Sequence, residues 1–255
     1  MTTRLLQTVY VEAEGKPSME VCIRESFLFC RDHRIGKVVL FTGAGDGAMF
    51  AVDNFLTNQE FESIQMIAVT PPSGKRYRSD PFDESSVIVA SGVSPEKKEF
   101  LRDMGVPVVS AHMPFKTSTG TGVAAWNETA EAFGILGGGF SLCVQAILMA
   151  CDAGEVDAGE RVVAASADTS IVAIASRTEL FLAPHHGLLV EHIICRPRQF
   201  NISKSHHAAL ANMGRFGDMA NEPPAQRYID AVVAGEDPER LISGVVAVDD
   251  DDDLP

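Results

Sequence analysis

Lys37-Val38-Val39-Leu40-Phe41-Thr42-Gly43-Ala44-Gly45-Asp46-Gly47-Ala48-Met49-Phe50-Ala51 is the stretch whose reading decides the fold. Val38 to Phe41 is an unbroken apolar run, which predicts a strand buried on both faces. The glycines after it make a turn without bulk, and helix-compatible spacing resumes at Ala48. A helix start leaves amide N–H groups without intrahelical partners and carries partial positive charge. The turn Thr42 to Ala48 is therefore a candidate anion cradle. Ile64 to Thr70 reads as a second apolar strand, so residues 38–70 form a β-α-β crossover whose strands should be parallel.

Upstream, Thr8 to Val11 is a short strand, and Ser18 stands where a helix N-cap belongs. The helix it opens is expected to end at Gly36. Downstream, residues 71–86 read as a long loop, with an extra strand at Val87 to Val89. Ser94-Pro95-Glu96 starts a helix that Gly105 closes, and Val106 to Ser110 returns to strand. A polar turn from Ala111 to Gly122 leads to a helix with the only tryptophan, Trp126. Gly137-Gly138-Gly139 then separates it from a very apolar helix, Ser141 to Ala153, which belongs in the interior. Arg161 to Ala165, Ile171 to Ala175 and Leu188 to Cys195 supply further strands. The expected organisation is an α/β domain over 1–200, a polar helical extension over 201–248, and a disordered acidic tail over 249–255.

With 255 residues and 45% hydrophobic content the chain can bury a full core. A net charge of -14 repels nucleic acid and anionic membrane surfaces at long range, so an anionic ligand must be held by local groups. Five cysteines without a C-x-x-C pair argue against a disulfide framework and for a reducing compartment, where they serve as small core residues. The N-terminus lacks a signal-peptide layout, and no apolar run approaches the roughly 20 residues of a membrane span. A cytoplasmic protein without membrane contact is expected.

The helix before Val38-Val39, the loop Gly45 to Ala48, the turn Ser110-Ala111-His112, then Met149 to Gly154, Arg161 to Ala164, Asp168-Thr169-Ser170 and Ile193 to Arg198, taken in that order, resemble the small stand-alone relatives of the pyruvate kinase C-terminal domain. Gly47 stands where the family usually has threonine, and Ala164 to Ala167 is shorter than the family's second glycine-rich loop. The resemblance implies a three-layer α/β/α sandwich with a mostly parallel sheet. It also implies a phosphorylated ligand, flavin mononucleotide (FMN) being one occupant, without implying a reaction.

The candidate binding residues are Thr42, Gly43, Ala44, Gly45, Asp46, Gly47 and Ala48, with Thr70, Ser73, Gly74 and His112 lining the rest of a cleft. Asp168 and Thr169 read either as a ligand loop or as a turn into the next strand. Asp46 is expected to cap the helix that follows it. The dinucleotide fingerprint fails, because the third glycine spacing is absent and no acidic residue ends the second strand. No metal site is predicted: His192 and Cys195 are three apart on a strand and point to opposite faces, and His185-His186 and His206-His207 are splayed neighbours. No G-x-S-x-G elbow is present, so covalent catalysis lacks a nucleophile. Two classes of function fit: a binder of a phosphorylated small molecule, or an enzyme on such a substrate with His112 or Asp46 as acid or base. A homo-oligomer is expected, with the apolar helix Ser141 to Ala153 as a candidate face toward a neighbouring chain.

Overall fold

In the computed structural model, which describes residues 5–12, 14–72, 76–78, 88–90, 92–115, 129 and 132–198, Val38 and Leu40 point into one apolar layer and Val39 into another. The strand they form, β2 (Lys37–Phe41), is thus buried on both faces, as its unbroken apolar run requires. β3 (Gln65–Thr70) runs parallel beside it in the register Val38↔Met66 to Phe41↔Val69. The other members of the sheet are β1 (Val9–Val11), β6 (Val108–Ser110), β7 (Arg161–Ala165), β8 (Ser170–Ile174) and β9 (Leu189–Pro197). Seven strands lie in the order β1-β9-β8-β7-β2-β3-β6, and β8 alone runs against its neighbours. The segments β4 (Arg76–Arg78) and β5 (Ile88–Ala90) pair separately as an antiparallel ribbon.

Helices cover both faces. α1 (Met19–His33), α2 (Asp46–Ala51) and α3 (Pro95–Asp103) share a core with Val38, Leu40, Met66, Val163 and Val172, where Phe27 stacks on Phe55 at 4.6 Å. Burying each of those rings contributes about 2–3 kcal/mol. α4 (Gly138–Asp152) covers the opposite face, against Val39, Ile67, Val69 and Ala164. The protein is a three-layer α/β/α sandwich with a mostly parallel sheet. Phe115, Phe133 and Phe181 pack with α4 in the same core.

The chain divides into two units, Met1–Ser73 with Ser91–Phe200, and Gly74–Ala90 with Asn201–Pro255. The first holds the seven-stranded sheet; of the second, β4 and β5 are described. The expected helices of residues 201–248 and the acidic tail lie outside the described residues.

Two local expectations change. α1 stops at His33 because Arg34, not Gly36, takes the left-handed conformation (φ 55°), and Ile35 N–H closes the end by donating to Cys30 O at 2.9 Å. The apolar helix starts at Gly138 rather than Ser141, taking two of the three consecutive glycines into its first turn.

Candidate functional site

The loops that follow β2, β3, β6 and β7 leave the same edge of the sheet, and those four strands are neighbours. Thr42 to Ala48, Thr70, His112, Asp168 and Thr169 are thereby brought to one rim, the ordinary location of ligand sites in open α/β sheets. Ser73 and Gly74 lie outside the described residues, as do Lys116 to Thr119.

The ladder continues one residue past β2, with Thr42 N–H donating to Val69 O at 2.8 Å. Thr42 is buried, and its Oγ1 accepts the Gly45 amide at 3.0 Å, which folds the turn back on itself. Gly43 O accepts from Gly92 N–H at 3.1 Å and from the Thr70 hydroxyl at 3.4 Å. Ala44 O accepts from Lys97 Nζ at 3.0 Å. A trans peptide sets its N–H opposite its C=O, so tying back Gly43 O turns the Ala44 N–H to the other side. Among the described residues the amides of Ala44, Asp46 and Gly47 donate to no protein acceptor, while Met49 N–H already reaches Gly45 O. Gly45 has φ +91°, and a Cβ there would meet Lys97 Cδ and Val93 Cγ1 at 3.1 Å. The turn thus needs glycine for its hand and for the lysine stem lying across it.

Asp46 does not cap α2. Gly45 is the N-cap, and the Asp46 carboxylate bridges two ammonium groups, Lys97 Nζ at 2.8 Å and Lys16 Nζ at 2.9 Å. The hydrogen bond from Lys97, then that from Lys16, holds its carboxyl below the usual carboxylate range. These pairs are half-exposed, so they set local geometry and charge and contribute little stability, about 1 kcal/mol or less. Lys16 and Lys97 with Asp46 leave one net positive charge beside the turn. Sequence reasoning missed both lysines. Lys97 is 51 residues from Asp46, and only the placement of α3 joins them.

A side chain at Gly47 would point at Ile23 and Met19, inside the core, and not toward the rim. Ala48 and Thr70 are fully buried behind the loop. His112 is exposed, between β6 and the buried anchors Met113 and Phe115; the Phe115 amide donates to Gln145 Oε1 of α4 at 3.0 Å.

On the β7–β8 turn the side chains of Ser166, Asp168 and Thr169 are hydrogen-bonded to one another or to nearby backbone, while the buried Ser170 hydroxyl at the start of β8 has no partner among the described residues. Asp168 is buried, Oδ2 accepts the Gly15 amide at 2.7 Å, and Oδ1 accepts the Thr169 hydroxyl at 2.9 Å. Ser166 Oγ accepts Thr169 N–H at 3.3 Å. The first turn of α4 packs directly on this group, since a Cβ on Gly139 would fall 2.1 Å from Asp168 Oδ1. Asp168 therefore joins the segment ahead of α1 to the start of α4, where the helix dipole favours a carboxylate.

The five cysteines are buried free thiols, and burial pushes Cys30 and Cys143 well up from the ordinary thiol range. His192 faces Phe29 at 5.5 Å and contacts Gln7 O at 3.1 Å, whereas Cys195 lies in the interior. No group of three or more His, Cys, Asp or Glu able to hold a metal occurs among the described residues. No described helix is long and apolar enough to cross a membrane.

The fold and this rim define an α/β protein with a polar loop cluster at the carboxyl ends of its parallel strands. No protein-family model matches the chain, and no curated protein matches it. Among solved structures it is similar to Cryptosporidium parvum pyruvate kinase in complex with ADP, at 12% identity and a TM-score of 0.31. The match covers 71% of this chain and 24% of that one, so this chain spans about a quarter of the enzyme's length.

Proposed function

We propose that the protein binds a small phosphorylated ligand at the turn Thr42 to Ala48. The observation that carries the reading is the orientation of the turn: Gly43 O and Ala44 O are tied to Gly92, Thr70 and Lys97, which leaves the Ala44, Asp46 and Gly47 amides for an external acceptor. The ammonium groups of Lys16 and Lys97 add positive charge beside those amides. Binding is the conclusion, and no reaction is assigned.

Paired thermal unfolding with FMN and riboflavin tests it, because the two differ only in the phosphate. At a hundred times its dissociation constant FMN adds about 2.7 kcal/mol. For a chain this long that raises Tm by about 5–10 °C, and riboflavin should do markedly less. Equal shifts from both, or none from either FMN or inorganic phosphate, would remove the phosphate reading.

A further inference from the structure

The segment that joins β1 to α1 crosses the rim and touches two of its loops. Gly15 has φ +77°; its amide donates to Asp168 Oδ2 at 2.7 Å on the β7–β8 turn, and its carbonyl accepts the Ser18 amide at 3.0 Å. Lys16, the next residue, reaches the other way, and its Nζ lies 2.9 Å from Asp46 Oδ2 in the turn after β2. Consecutive residues of one strap thus hold one loop by the main chain and the other by a side chain.

The two holds differ in strength. The Lys16 side chain is 76% exposed, so ordering it largely offsets what its ion pair gains. Asp168 is 5% exposed, and its carboxylate cannot wander: Oδ1 accepts the Thr169 hydroxyl at 2.9 Å, and the first turn of α4 lies so close that Gly139 has no room for a Cβ. Its bond to the Gly15 amide has a charged acceptor, the stronger kind of hydrogen bond. The fixed carboxylate therefore sets the path of the main chain at Gly15, and that path sets where the Lys16 stem begins.

We propose that Asp168 is a positioning residue for the anion site at the Thr42 turn: through the Gly15 amide it places the Lys16 ammonium beside the amides of Ala44, Asp46 and Gly47. It acts without touching the ligand, which its own negative charge would repel. This role rests on the phosphate reading of the turn and adds to it a contribution from the far side of β7.

Titration of the isotope-labelled full chain with inorganic phosphate at low salt, followed by amide shifts, is the test. Lys16→Met should weaken phosphate about fourfold, the effect of one unit charge about 5 Å away in water. Asp168→Ala should weaken it about fourfold more in the wild-type background than in Lys16→Met, and any long-range effect of the lost charge cancels from that comparison. By reciprocity, saturating phosphate should slow exchange of the Gly15 amide about fourfold in the wild-type chain and leave it unchanged in Lys16→Met. The exchange measurement decides the matter even if Asp168→Ala does not fold. A wild-type chain that binds no phosphate would overturn the role of the turn and that of Asp168 together. A wild-type chain that binds phosphate, with Asp168→Ala acting equally in both backgrounds or with Gly15 exchange unmoved, would overturn the role of Asp168 alone.

Discussion

Gly139 is the residue whose identity the tertiary structure constrains most tightly. Any Cβ there would overlap Asp168 Oδ1, Thr169 Oγ1 and Ser166 Oγ, all within 2.6 Å of the position it would take. Gly139→Ala must push the Asp168 carboxylate off the Gly15 amide or lift the first turn of α4 from the sheet. Either route costs about 2–4 kcal/mol, from overpacking plus a disturbed charged hydrogen bond. Urea unfolding followed by circular dichroism measures this, and a midpoint equal to wild type would show that the carboxylate moves freely. Gly45 and Asp46 differ from Gly139 in kind: one supplies a left-handed turn, and the other holds two lysines at the surface rather than in the core.

At the scale of elements, α4 ties the site edge of the sheet to the core beneath it. Its apolar residues pack against β2, β3, β7 and β8, and its one buried amide side chain, Gln145, reaches the Phe115 N–H just beyond β6. Gln145→Leu keeps most of the volume and removes that acceptor. The expected loss is about 1–3 kcal/mol, with faster amide exchange at Phe115 and a looser His112 segment. Exchange at Phe115 unchanged from wild type would refute the link. α3 plays a comparable part on the other face, where Ser94 caps it and Lys97 on its first turn carries the loop contacts.

Across the whole molecule, contacts far apart in sequence close the fold. β1 pairs with β9 through Val9↔Cys195 and Val11↔Pro197, and the Thr8 hydroxyl donates to Ile193 O at 2.7 Å. Removing residues 1–11 uncovers the long strand β9 as a sheet edge, which invites pairing with another chain. The truncated protein should show a lower Tm than the full chain and a scattering mass that rises with concentration. A truncation that matches the full chain in both would show that β1 protects nothing.

The amino-acid order fixed the elements that carry their own pattern. β2, β3 and β7 are apolar on consecutive residues, so both-face burial is written into them, and Ser94-Pro95 with Gly105 marks the ends of α3 locally. The glycine turn after β2 was legible for the same reason, since backbone geometry there depends on adjacent residues. What required three dimensions was every pairing between distant segments: Asp46 with Lys16 and Lys97, Gly139 with Asp168, and the reversed direction of β8. Periodicity and turn chemistry act over a few residues. Which loop meets which is decided by the packing of a common core, and no short stretch of sequence contains that information.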